Sequence, residues 1–125
     1  MPAVLVVDDD DDVRDLITFR LRTAGYEVHT AADGNQALAA LDRLRPDLVV
    51  LDWMMPGLSG PEVCRHLRAL PPLAGVRVLM LTAKFLPGDV EEGFRAGVDD
   101  YMTKPFSPRE LLTRVQALLA VGARR

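Results

Sequence analysis

Short apolar runs alternate along the chain with stretches in which apolar residues recur every three or four positions. The runs "AVLVV" (3–7), "YEVHT" (26–30), "DLVVL" (47–51), "VRVLML" (76–81) and "DDYMT" (99–103) predict strands. The first, third and fourth are nearly all apolar, so burial on both faces is expected, as in a parallel sheet. The second and fifth are more polar and belong nearer the sheet edges.

The stretches between them predict helices. In the first, Val13, Leu16, Ile17, Leu21 and Ala24 form one stripe, and Gly25 supplies the stop. In "ADGNQALAALDRL" the expected N-cap is Asp33, with Gln36 three residues on, and "SGPEVCRHL" repeats the device with Ser59 and Glu62. In "SPRELLTRV" Ser107 caps, Pro108 takes the first helical position and Glu110 reaches back. The fourth helix, about residues 88–96, has the weakest pattern.

Strands alternating with helices imply an α/β fold with a parallel sheet and right-handed crossovers. Five such units suit a doubly wound sheet of order 2-1-3-4-5, whose ligands lie beyond the carboxyl ends of the strands at the switch point. The first strand ends at Asp8 and Asp9 and the third at Asp52. Those two strands are neighbours in this order, so three carboxylates converge from distant parts of the chain.

Bulk properties narrow the class. The 125 residues suit a single domain, residues 1–125. Hydrophobic residues at 49% and charged residues at 26% are the composition of a soluble globular protein. A net charge of −3 argues against a polyanion binder, so nucleic-acid contact is not expected. With Cys64 as the one cysteine no internal disulfide can form, which fits a reducing compartment. No apolar stretch approaches the ~18 residues of a membrane span, and the N-terminus has neither a basic n-region nor a cleavage site. A cytoplasmic protein without membrane contact is the simplest expectation. The closing "VGARR" reads either as a natural terminus or as the start of a linker to an effector domain.

Asp8 to Asp12 form an unbroken acidic run directly after the first strand. Alone, such a run is better read as helix capping or a solvated tract. Its convergence with Asp52 changes the weight. Crowded carboxylates destabilise one another unless one is protonated or a cation joins them. All-oxygen ligands suit a hard cation, and Mg²⁺ (or Mn²⁺) takes one or two carboxylates and keeps several waters. One aspartate is then free to attack phosphorus. The fourth strand ends at Thr82, a hydroxyl donor, and the fifth is followed by Lys104 and Pro105. A cation, a lysine and a hydroxyl around an aspartate make a clamp for a transferring phosphoryl group.

Together "VVDDD" (6–10), "LDWMMPGLSG" (51–60), "LTA" (81–83) and "DDYMTKPFSPREL" (99–111) resemble the receiver domain of bacterial two-component response regulators, most of all those with a winged-helix DNA-binding effector. The resemblance covers the whole chain in order and at family spacing. It implies a flavodoxin-like (βα)5 three-layer sandwich. It also implies a switch that takes its phosphoryl group from a sensor histidine kinase or phosphotransfer protein, catalysing its own modification and slow hydrolysis without being a turnover enzyme. Carried over by position, Asp52 is the phosphoacceptor. Asp9, Asp52 and the Met54 backbone carbonyl bind the metal, and Asp8 acts through water. Lys104 pairs with the phosphoryl oxygens, Thr82 moves toward them, Tyr101 rotates inward, and the Lys104–Pro105 peptide is cis. Met54 and Lys84 occupy the two positions that tune hydrolysis, and this pair resembles slow members.

The resemblance further implies a phosphorylation-favoured dimer through the fourth helix, fifth strand and fifth helix. Asp99, Asp100, Glu110 and Arg114 stand at matching positions. Val90 replaces a basic partner for Glu110, and Arg95 and Gln116 replace an acid–base pair. A monomer before phosphorylation and at most a weak dimer after it are expected.

Two rival readings compete with this one. "DDDDV" (9–13) satisfies D-x-D-x-[TV], the signature of haloacid-dehalogenase-type phosphatases, in which Asp9 would be the nucleophile. That family needs a longer chain and gives no reason for "LDWMMPGLSG". A non-phosphorylated, receiver-like interaction module is opposed by the presence of all five key positions. Among the remaining residues, Trp53 and Tyr101 taken alone suggest ordinary packing, His29 and His66 surface positions, and Cys64 a half-buried helix position. Asp11 and Asp12 are expected to cap the first helix. Phe19 lies off the apolar stripe, and local packing is preferred to a docking role.

Overall fold

The structure, a computed structural model, describes residues 1–83 and 87–120. The chain runs β1 (Ala3–Val7), α1 (Asp11–Thr23), β2 (Glu27–Ala31), α2 (Gly34–Leu44), β3 (Leu48–Asp52), α3 (Gly60–Ala69), β4 (Arg77–Thr82), α4 (Pro87–Ala96), β5 (Asp100–Thr103) and α5 (Pro108–Ala120). A 3-10 turn at Pro71–Leu73 links α3 to β4. All strand pairs are parallel and the sheet order is β2-β1-β3-β4-β5, with the two more polar strands at the edges. β2, β3 and β4 lie one residue further along than expected, because Ala31, Asp52 and Thr82 still pair in the ladder.

Strand side chains alternate between two cores, as the period of two requires. Val4, Val6, Val50, Leu79 and Leu81 face Ile17, Leu21, Leu111 and Val115 of α1 and α5. Leu5, Val7, Val49, Leu51, Val78 and Met80 face Ala37, Leu41, Val63, Leu67 and Ala96 of α2, α3 and α4. Three layers result, and every residue of β3 is buried.

Side-chain oxygens hold the helix starts. The α1 cap is Asp10, which accepts from the backbone N–H groups of Asp12 and Val13. This corrects the assignment of capping to Asp11 and Asp12. Those two lie inside the first turn, where the positive end of the helix dipole favours carboxylates. Asp33 caps α2, and Ser59 with Glu62 forms a reciprocal capping box on α3.

Several burial expectations also need correction. Cys64 is fully buried rather than half-buried, because it lies on the core side of α3 between Val63 and Leu67. Leu16 is 41% exposed, Ala24 falls outside α1 as its C-cap, and Phe19 is 63% exposed rather than packed locally.

At the pole of the sheet away from the strand carboxyl ends, Arg68 gathers several segments. Its Nε and Nη2 donate to the Gly97 carbonyl at 3.0 and 2.8 Å, and Nη2 also donates to Asp99 Oδ2 at 2.8 Å. Nη1 donates to the Ala74 and Val76 carbonyls. Asp99 Oδ2 also accepts the Val78 backbone N–H at 2.8 Å. The end of α3, the start of β4 and the turn after α4 are thereby tied together.

Candidate functional site

The register of the sheet assembles the site. Val7 pairs with Leu51, so Asp8 emerges beside Asp52. Asp52 pairs with Leu81, and Thr82 pairs with Thr103, so Thr82 and Lys104 follow at the same end. The Lys104 backbone N–H donates to the Thr82 carbonyl at 2.9 Å, and the Lys104–Pro105 peptide is cis.

Asp8, Asp9 and Asp52 each present a carboxylate oxygen within 4.8 Å of the others. Asp8 and Asp52 are buried, and Asp9 is exposed at the mouth. Lys104 Nζ stands 2.9 Å from Asp8 Oδ2 and 3.1 Å from Asp52 Oδ1. The other Asp8 oxygen, Oδ1, accepts the Asp10 backbone N–H at 2.9 Å. Asp8 Oδ2 is fully buried, and its partner is the Lys104 ammonium, although the angle of that contact falls short of a well-formed hydrogen bond. The cleft is lined by Asp9, Asp10, Asp52, Trp53, Met54, Thr82, Ala83 and Lys104. Met54 is 67% exposed at its rim.

Burial, and then the Asp8 charge, push the Asp52 carboxyl up to about 6 against the pull of Lys104. Burial alone would lower Lys104, but Asp8 and Asp52 outweigh it and hold the ammonium above its ordinary value. Among the described residues, Lys104 pairs with Asp8 and Asp52 while Asp9 adds a third carboxylate to the cluster. The excess negative charge, the all-oxygen donors and the Asp8 oxygen without a well-formed hydrogen bond fit a hard divalent cation.

Tyr101 lies outside the cleft but touches its wall. Its ring stacks on Trp53 at a centroid distance of 6.4 Å and meets Phe94 edge-on at 5.0 Å. Its hydroxyl donates to the Val90 carbonyl of α4 at 3.1 Å. Burial first, then the charges of Cys64, Glu92 and Asp89, push the phenol up to about 12. Trp53 is a core residue, which the packing reading anticipated. Lys84 lies outside the described residues, as does the closing "VGARR".

Two contributors have weak sequence signatures. Arg14 donates from Nη1 to the Asp8 carbonyl at 2.9 Å and pairs with Asp11, bracing the acidic turn from α1. The only hint is the Asp11–Arg14 spacing of three. A Cβ on Gly60 would stand 2.5 Å from the Asp52 carbonyl oxygen and 3.0 Å from Trp53 Cα, so the start of α3 presses directly on the backbone of the site. In the sequence Gly60 reads as ordinary turn punctuation.

Residues 4–116 match the family described as the response regulator receiver domain. The DNA-binding response regulator MtrA of Mycolicibacterium smegmatis is 50% identical over 116 residues, which are 93% of this chain and 50% of that protein. The chain therefore spans about half the length of the curated relatives it matches. A crystal structure of a putative response regulator from Chloroflexus aurantiacus superposes with a TM-score of 0.90 at 41% identity, covering 96% of this chain and 98% of that one. The receiver domain of sensor histidine kinase PA1611 from Pseudomonas aeruginosa has a magnesium ion coordinated in its active-site cleft. It superposes with a TM-score of 0.88 at 35% identity, over 96% of this chain and 98% of that one.

Proposed function

The chain belongs to the response regulator receiver family, the phosphoacceptor domains of two-component signalling, and from that premise we propose that Asp52 is its acceptor. The observation that carries this reading is the pairing of Asp52 Oδ1 with Lys104 at 3.1 Å inside the cleft that Asp9 and Thr82 also line. Asp52 Oδ attacks the phosphorus of a phosphohistidine or a small acyl phosphate. The new O–P bond forms as the bond to the leaving group breaks, and the leaving imidazole or carboxylate departs with the electron pair. Lys104 Nζ neutralises the arriving phosphoryl oxygens, and Thr82 supplies a hydroxyl beside them.

Asp9, Asp52 and the Met54 carbonyl would hold Mg²⁺ or Mn²⁺, with Asp8 contributing through water. When bound, the cation neutralises charge on the transferring group. The domain thus assists its own phosphorylation and hydrolysis, with a sensor histidine kinase as donor and an effector domain or downstream protein as recipient of the signal. The name of the MtrA relative favours a DNA-binding effector.

The phosphatase reading through Asp9 fits less well. Asp9 is exposed, while Asp52 is the carboxylate that is buried, raised in pKa and paired with Lys104. Incubation with acetyl phosphate and Mg²⁺ should add one phosphoryl group by intact mass. Asp52→Asn and chelation should each abolish it. Labelling that persists in Asp52→Asn and maps to Asp9 would favour the phosphatase.

A further inference from the structure

Gly93 lies inside α4, where glycine is the poorest helix former short of proline. It is buried, and its surroundings explain the choice. A Cβ built on Gly93 would overlap the Tyr101 hydroxyl oxygen and stand 2.5 Å from Tyr101 Cζ. It would also come within 3.3 Å of Trp53 Cζ3. The tyrosine occupies the space that any other residue would fill with its own side chain. From there it reaches the Val90 carbonyl one turn earlier and stacks on Trp53, the residue that follows Asp52. Gly88, in the same helix, has nothing within 4 Å of its missing Cβ, so the crowding belongs to Gly93 and not to glycine in α4 generally.

We infer that Gly93 is a positioning residue: its missing side chain is the seat that lets Tyr101 lie against α4 and Trp53. The inference rests on the proposed reading in so far as Tyr101 takes part in the response of Asp52. Alanine at this position would expel the ring and uncouple α4 from the acceptor strand while leaving the carboxylate cleft intact. The helix itself would gain, because alanine is the better helix former. The sign of the stability change therefore separates seating from helix propensity.

The test is a cycle of the whole chain, Gly93→Ala, Tyr101→Ala and the double variant, with Gly88→Ala as control. Gly93→Ala should lower Tm and red-shift the emission of Trp53, the only tryptophan, as the ring leaves it. The same substitution in the Tyr101→Ala background should raise Tm and leave the emission unchanged, and Gly88→Ala should do likewise in the parent. Gly93→Ala failing to fold while the double variant folds is the same result in stronger form. Beryllofluoride binding, followed through Trp53, should weaken several-fold on Gly93→Ala only when Tyr101 is present. A Tm that rises in both backgrounds, two unfolded variants, or a beryllofluoride midpoint that Gly93→Ala never moves would each overturn the inference. A parent protein that ignores beryllofluoride would instead refute the phosphoacceptor reading, and the Tm and emission cycle would still decide the role of Gly93.

Discussion

Asp52 carries a charge that its surroundings resist. Its carboxyl protonates near 6 in the folded protein and near 3.8 as a free side chain, so between those values the folded state holds more protons than the unfolded one. Stability of the metal-free protein therefore falls as pH rises through that window, and the cost stands in full above it. A cation removes the cost by favouring the ionised form. Mg²⁺ is expected to raise Tm at about pH 7.5 and to lose most of that effect at about pH 5, where protons compete for the same oxygens. Asp52→Asn should raise the metal-free Tm at the higher pH and blunt the response to Mg²⁺. Thermal unfolding at both pH values, with and without Mg²⁺, checks these signs. The convergence of Asp8, Asp9, Asp52, Thr82 and Lys104 was legible because each stands at or just past the end of an expected strand, and strand order brings those ends together. Arg14, Gly60 and Gly93 were not legible. Their roles are contacts with backbone or with a ring brought near by tertiary folding, and such contacts leave no mark on local pattern.

At the scale of elements, α3 joins the cap to the site. Ser59 Oγ accepts the Glu62 N–H at 3.3 Å, and Glu62 Oε1 accepts the Ser59 N–H at 3.0 Å. Gly60, the next residue, donates its N–H to the Trp53 carbonyl at 2.8 Å. Ser59→Ala is expected to cost about 1 kcal/mol in denaturant unfolding, the usual loss for a serine N-cap. It should also shift Trp53 emission, because the helix start abuts that residue. The α3 capping box was readable because it is local, side chain to backbone within three residues, but the return contacts expected of Gln36 and Glu110 go instead to the Ala32 N–H and to Arg114. The strand ends were misjudged by one residue because hydropathy stops at the last apolar side chain while backbone pairing continues through Asp52 and Thr82. The same limit placed the α1 cap too late. Hydropathy cannot rank five identical aspartates, and only the backbone turn at Asp10 selects one of them.

For the whole molecule, the surface formed by α4, β5 and α5 is the one expected to govern assembly. Arg114 pairs with Asp100 at 2.9 Å and with Glu110 at 3.1 Å within one chain, and Arg95 lies 3.6 Å from Glu91. Asp99 is committed inward to Arg68 and Val78. Charges already matched at home gain little by changing partners, and exposed ion pairs contribute only ~0.2–1 kcal/mol each. Sedimentation should therefore find a monomer, with a weak, Arg114-dependent dimer only in beryllofluoride. A tight dimer in both states would show that another surface governs assembly. The Arg68 hub has a mechanical corollary. By holding the Gly97 carbonyl and Asp99 it fixes the far end of α4, while the opposite end of that helix comes after β4 in the chain. A helix pinned at one end swings instead of sliding. With Arg68 as the fixed point, a displacement applied at the other end of α4 is expected to tilt that helix, turning the face it presents.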